Sequence, residues 1–410
     1  MISDGADRAD RLEFLQTSIT RLWPGCSVRF HGSPGGQDDP TSRSFLLLAS
    51  TRRPRLLTPA RTARVAVRAH ATHLTAGASV RTWLLGAALA TGVARPLAGH
   101  VHLEGVQPGL GIDDHLSSIL DEQVDVVMHI TVRRPNRKPI LQAIDRAGRI
   151  RAFVKVGTDA VTADLVTREA DALRTVAAAR PVSFVAPAVI DLREWRGLHL
   201  LILAPLPTWR RSHVAPAARV RSAQAELATW GADTETALAD SAYWRRTRAR
   251  VDALAPGRAA ADLTRLAILL ERRHGGTLLH FSAVHGDWAP WNMCVASGSL
   301  LVWDWERFEP HAPRGFDELH YLLHDRLVRR RWTPDRAAEA CRADAPRVLR
   351  QLGDPVERAG ALAAAYLLSL ALRYRAGADD ADTSAPGDLQ AALHRVVARS
   401  LVARAQEPEA

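Results

Sequence analysis

From Val124 the chain reads VDVVMHITVRRPNRKPILQAIDRAGRIRAFVKVG, three apolar runs separated by the polar turns RRPNRKP (133–139) and DRAGRI (145–150). β-branched runs bounded by Pro, Asn and Gly clusters are the mark of hairpin-linked strands. A helical pattern follows, DAVTADLVTREADALRTVAAA (159–179), and then a second strand pair, APAVIDLREWRGLHLLILAPLP (186–207). Pro205 and Pro207 cannot donate to a ladder and stop it. The order predicts a five-stranded antiparallel sheet with one helix inserted after its third strand.

The flanks are less constraining. Upstream, RSFLLLASTRRPRLLTPA reads as a β-hairpin, TARVAVRAHATHL and SVRTWLLGAALATGVARPL carry helical periods, and HVHLEGV alternates like a strand. Downstream, 216–273 and 316–405 are helical by period, while 281–304 holds a loop and a short hairpin. The acidic AGADDADTSAPGD (376–388) reads as a solvated loop between helices. Length and 47% apolar content allow two or three domains with real cores. We expect residues 1–122 to form a mixed α/β region, 123–207 an antiparallel lobe and 208–405 a helical lobe, an α+β architecture.

The formal charge is +10, yet 52 of the 54 basic residues are arginine: lysine occurs only at Lys138 and Lys155, and asparagine only at Asn136 and Asn292. That bias explains the charge without a nucleic-acid partner, and the basic run RLVRRRW (326–332) reads as a solvated helix face. It also marks the four survivors as positions where exchange for Arg or Asp fails, since a compact ammonium and a planar guanidinium are not equivalent. Three cysteines at no metal-like spacing read as buried thiols in a reducing compartment. The N-terminal stretch has acids and no apolar core, so no secretory signal is expected there, and the apolar runs 83–94 and 361–372 are too short to span a bilayer. A cytoplasmic location is the expectation.

Chemistry is carried by HGDWAPWN (285–292) and the LLVWDWE that follows it (300–306). An aspartate that accepts a hydroxyl proton, with an asparagine five residues on that ligates Mg²⁺, is the spacing of a phosphotransferase loop. Asp287 and Asn292 fill those positions, and Asp304 at the end of an apolar run supplies a second hard oxygen ligand. Taken alone, an Asp and an Asn at that spacing equally describe a capped loop. Upstream, Lys155 sits inside the apolar strand RAFVKVG, where a bare ammonium is costly unless a partner and an anion meet it. The next helix offers Glu169, with Asp164 and Asp171 as alternatives.

The turn 133–139 has no glycine for close backbone approach to phosphate, so its cations, Lys138 among them, would reach phosphates through side chains, or else form a solvated turn. Trp288, Trp291, Trp303 and Trp305 crowd the motif region. Alternation puts Trp303 and Trp305 on one face, as for core. Trp288 is a candidate wall for an acceptor, and Glu306 a second acceptor contact; Asp317 reads as structural, near a helix start.

These residues resemble the aminoglycoside phosphotransferase and choline kinase superfamily, whose loop reads H-G-D-x-x-P-x-N and whose metal strand reads I-D-W-E. The resemblance covers about 124–405 and leaves 1–122 outside it. It implies a two-lobed, protein-kinase-like fold with ATP and Mg²⁺ as cofactors. His285 would brace the loop, Asp287 act as base, Asn292 and Asp304 hold the metal, Lys155 and Glu169 serve the phosphates, and Leu203 to Pro207, Pro205 included, form the hinge. The missing Gly-rich loop and D-F-G triplet point to a small-molecule or sugar hydroxyl as acceptor. A nucleotide-binding scaffold of the same fold is the alternative.

Overall fold

The turn at 145–150 closes as its sequence demands. In the computed structural model the Asp145 carboxylate accepts the Arg149 N–H at 2.9 Å, and Gly148 takes φ +77°, a left-handed conformation that suits glycine. The structure describes residues 4–31, 41–48, 55–61, 99–131, 136–207, 211–212, 215–231, 234–378 and 387–402. Two compact units emerge: residues 1–174 with 186–213, and 175–185 with 214–410.

The first unit contains α1 (Asp4–Leu22), β1 (Ser27–His31), β2 (Ser42–Leu48), β3 (Leu56–Pro59), β4 (Gly99–Glu104), α2 (Ile112–Leu120), β5 (Asp125–His129), β6 (Ile140–Ile144), β7 (Ile150–Gly157), β9 (Val189–Trp195), β10 (Leu198–Leu203) and β11 (Arg211–Ser212), and most of α3 (Ala160–Ala179). Nine of these strands make one sheet in the order β1-β4-β2-β3-β5-β6-β7-β10-β9. The five expected strands are its β5-β6-β7-β10-β9 half, with α3 inserted as predicted.

The expected boundary near residue 122 falls inside this sheet. Leu56 and Leu57 of β3 pair with His129 and Met128 of β5, so ladder hydrogen bonds run from the N-terminal strands into the rest. Leu15, Ile19 and Leu22, spaced along one face of α1, are buried in the same core as Val101, Leu116, Met128 and Val154. Each such side chain contributes about 1.5–3 kcal/mol. Residues 1–122 therefore share a sheet and a core with the strands after them. The two helical patterns at 62–74 and 79–97 lie outside the described residues.

The second unit holds β8 (Phe184–Val185), α4 (Ala217–Leu227), β12 (Thr234–Ala237), α5 (Ala242–Asp252), α6 (Arg258–His274), β13 (Leu278–Val284), β14 (Met293–Ala296), β15 (Ser299–Val302), β16 (Glu309–Pro313), α7 (Phe316–His324), α8 (Pro334–Leu352), α9 (Ala359–Ala378) and α10 (Gly387–Val402). β13 lies between β12 and β16, so one segment expected to be helical, 234–237, is a strand. β14 and β15 form the predicted hairpin. The apolar run 361–372 is the buried centre of α9. The acidic loop between α9 and α10 lies outside the described residues, apart from its helical ends.

Residues 328–331 of the run 326–332 are exposed, as expected of a solvated face, while its ends are held: Arg326 pairs with Asp344 at 2.5 Å and its guanidinium lies 5.3 Å from the Trp332 ring centre. Cys294 and Cys341 are buried, Cys26 half-buried. Among the described residues no helix is long and apolar enough to cross a membrane. The class is α+β, as expected.

Candidate active site

The loop after β13 is assembled from backbone constraints outward. Gly286 sits at φ +78°, and a Cβ there would come within 2.1 Å of the Arg307 carbonyl oxygen, so no other residue fits. The Asp317 carboxylate, in the first turn of α7, accepts the N–H groups of His285 at 2.6 Å and Gly286 at 3.0 Å. The His285 ring accepts the Asp287 N–H at Nδ1, 3.1 Å away. Its hydrogen therefore rests on Nε2, which donates to the Trp303 carbonyl at 3.1 Å. Burial pushes the imidazole down to about 4, so His285 is a neutral brace that ties the loop to the segment after β15 that carries Asp304.

Asn292 shows why the five-residue spacing works. Its Nδ2 donates to Asp287 Oδ2 at 2.7 Å and to the Asp287 carbonyl at 3.0 Å. A carboxylate only accepts, so the amide nitrogen must face it and Oδ1 must face away. The main chain of Asn292 is pinned too, through its N–H to Ala289 and its carbonyl to the Trp303 N–H. On the other carboxylate oxygen, His320 Nε2 donates at 3.0 Å. The Tyr366 hydroxyl donates to His320 Nδ1 at 3.1 Å, and Arg373 stands 3.7 Å from Asp287. Burial alone raises the Asp287 carboxyl; the His320 hydrogen bond and the Arg373 charge more than offset it, and the net displacement is downward. His320 is itself held below its usual value by burial, so the arrangement is a neutral imidazole donating to an ionised carboxylate.

Asp304 adopts φ 70°, a left-handed conformation costing a non-glycine residue about 1–2 kcal/mol and concentrated at functional positions. With Asn292 Oδ1 turned from Asp287, the amide and the Asp304 carboxylate are the hard-oxygen donors Mg²⁺ requires, so the residues present fit that ion. Glu306 lies two residues on, half-buried, 3.8 Å from Arg307.

In the first unit Lys155 projects from β7 to Glu169 of α3, with Nζ 2.7 Å from Oε1 and 2.6 Å from Oε2. Of the three acids considered, Glu169 is the partner; Asp164 and Asp171 pair with Arg168 and Arg174. Lys138 is buried just before β6. Its neighbour Arg137 is tied to Asp10 at 2.7 Å and covers the Phe14 ring at 3.7 Å, so one cation of that turn holds α1 instead of waiting for phosphate. Residues 132–135 of the turn lie outside the described residues. Leu203 ends β10, buried, and Pro205 is exposed just beyond it; the chain enters the second unit later, after His213.

The aromatic assignment needs correction. Trp288 is fully buried, its ring edge-on to Phe184 at 6.0 Å and to His285 at 5.6 Å. It is core and lines no acceptor surface. Trp305 is likewise buried. The exposed member is Trp291, 45% accessible, with its edge against His324 at 5.0 Å. Sequence reasoning also missed His320, Tyr366 and Arg373. The one available signal was the polar residue His320 inside the apolar pattern of FDELHYLLH.

No family model matches the chain, and no curated protein matches it. Among solved structures it is similar to a thermostable mutant of the aminoglycoside phosphotransferase APH(4)-Ia, with 14% identity and a TM-score of 0.48 over 72% of this chain and 100% of that one. It is also similar to the choline kinase LicA from Streptococcus pneumoniae, with 13% identity and a TM-score of 0.43 over 71% and 98%. A choline/ethanolamine kinase family protein from Mesorhizobium loti matches at 15% identity and a TM-score of 0.40, over 66% and 91%.

Proposed function

We propose that this chain transfers the γ-phosphoryl group of ATP, with Mg²⁺, to a hydroxyl of a small molecule. The observation that carries the reading is the Asp287 carboxylate, gripped on one oxygen by Asn292 and on the other by His320 at the end of a loop that tolerates only glycine at 286.

Asp287 keeps a lone pair on each oxygen for an incoming hydroxyl. Its side chain is a quarter exposed, enough for an acceptor to reach it. A carboxylate held below the usual range is a weak base, and that suits a loose phosphoryl-transfer transition state, in which the hydroxyl proton leaves late and the carboxylate chiefly orients the nucleophile. Mg²⁺ held by Asn292 and Asp304 would shield the phosphate charge and hold the transferring group in place. Lys155, fixed by Glu169, is a preorganised cation for the α- and β-phosphates.

The test is turnover of Mg-ATP by the full chain across a panel of alcohols, followed as ADP release and as phosphorylated product. Asp287→Asn is expected to lower kcat by about 10²–10⁴-fold, the usual contribution of a positioned proton acceptor, with ATP affinity retained. Equal turnover by wild type and Asp287→Asn contradicts the proposal.

A further inference from the structure

Half-buried arginines in this chain are normally matched to carboxylates. Arg314 meets Asp354 at 2.5 Å, Arg326 meets Asp344 at 2.5 Å and Arg43 meets Asp113 at 3.1 Å. Two beside the catalytic loop are not. Among the described residues, Arg373, from α9 and 26% exposed, has only Asp287 at 3.7 Å. Arg307, 31% exposed, has among the same residues only its neighbour Glu306 at 3.8 Å. Among the described residues neither guanidinium donates a hydrogen bond. The main chain of Arg307 lies against Gly286 and its charge interacts with that of Asp287, so both arginines stand near the loop that carries Asp287.

They also feel each other. Burial first, and the charge of Arg373 second, hold Arg307 below its ordinary value, and Arg250 of α5 senses both. The carboxylates near Arg307 are Glu306, Asp287 and Asp304. Asp304 is one of the two residues that would hold Mg²⁺, so loading the site with a cation removes part of the arginines' counter-charge. Two guanidiniums with five donors each and no hydrogen-bonded acceptor make a fork-shaped site for a planar or tetrahedral anion. An ammonium there meets like charge at short range in a partly desolvated place.

We propose that Arg373 and Arg307 form an anion subsite beside Asp287, so that the acceptor is an alcohol carrying a phosphate or carboxylate group and not an amine. The inference rests on the phosphotransferase reading and names its substrate class. In the step it serves, the acceptor oxygen forms the new bond to the γ-phosphorus as the bond to the β,γ-bridging oxygen breaks. ADP leaves with that electron pair and the hydroxyl proton passes to Asp287. The arginines bind the acceptor's anionic group and touch none of these atoms.

The experiment is calorimetric titration of the full chain, in saturating Mg-ADP, with four matched three- and two-carbon probes: glycerol 3-phosphate, glycerate, glycerol and ethanolamine. ADP binding is recorded first, so that a failed nucleotide site is seen separately from a failed anion subsite. The wild type is expected to bind the phosphate probe, the carboxylate probe or both at least about tenfold more tightly than glycerol or ethanolamine. Which of the two anions binds tighter identifies the group. Arg373→Gln and Arg307→Gln should each lose about tenfold for the anions with glycerol unaffected, and Arg373→Lys should restore much of it, which a merely structural arginine would not do. Glycerol or ethanolamine binding as tightly as the anions, unchanged anion affinity in both Gln variants, or no anion binding at millimolar concentration each overturns the subsite.

Discussion

His320 and Asp287, 33 residues apart, are joined at 3.0 Å through Nε2 and Oδ1. Tyr366 fixes which imidazole nitrogen carries the hydrogen by donating to the other one at 3.1 Å. This gives Asp287 an orienting partner supplied by α7 and, behind it, α9. His320→Ala should lower kcat by about tenfold to a hundredfold with little change in acceptor KM, because the group lost orients the carboxylate and does not bind substrate. Tyr366→Phe should act in the same direction and more weakly. Steady-state kinetics on the two variants checks both.

Gly286→Ala tests the backbone side of the loop. The residue is left-handed and its added Cβ would meet the Arg307 carbonyl oxygen at 2.1 Å. The conformational cost alone is about 1–2 kcal/mol, and the clash adds to it. A urea titration should show a loss of at least about 2 kcal/mol together with loss of turnover.

Asp317 carries a pH signature. Burial raises its carboxyl to about 7 even though two backbone N–H groups donate to it. The unfolded residue ionises near 3.9. Between those values the native chain keeps a proton that the unfolded chain has lost. The stability this group contributes is therefore present at low pH and declines as the pH rises from about 4 to about 7, by at most about 1.4 kcal/mol per pH unit. Glu318, raised to about 7 as well, and the lowered His285 and His324 titrate in both proteins, so the signature is the difference: the stability of wild type minus that of Asp317→Asn should fall as the pH rises through that range. The variant also loses an acceptor for a loop N–H, at about 1–3 kcal/mol.

Lys155 and Glu169 are a nearly closed pair, 12% and 1% exposed. Removing one charge takes the closest counter-charge from the other in a buried place, so Glu169→Ala and Lys155→Ala should each cost about 3–5 kcal/mol, while the double change costs clearly less than their sum. Additive losses in a thermodynamic cycle would mean that the two charges do not depend on each other.

The parts of the site that were legible in the sequence share one property: a local pattern forced the residue. A lysine inside an apolar strand demands a partner, and Glu169 lay on the next helix. Asp287 and Asn292 are close enough in sequence for one loop to join them. What could not be read depends on packing between distant segments. His320, Tyr366 and Arg373 reach Asp287 from α7 and α9, and no local period records that. Trp288 departs from expectation because a tryptophan next to the motif aspartate looks the same in sequence whether it points into the core or out. The nine-stranded sheet was hidden for the same reason, since β3 finds β5 across about seventy residues that carry no pairing signal.

The proposed metal-dependent nucleotide reaction rests on the motif loop and Asp304. The most direct measurement is ATP binding by calorimetry with and without Mg²⁺, on wild type and on Asp304→Ala. Wild type is expected to bind ATP more tightly with Mg²⁺, and the variant to keep metal-free binding but lose the Mg²⁺-dependent gain. Absence of ATP binding in both proteins under every metal condition would contradict the proposal.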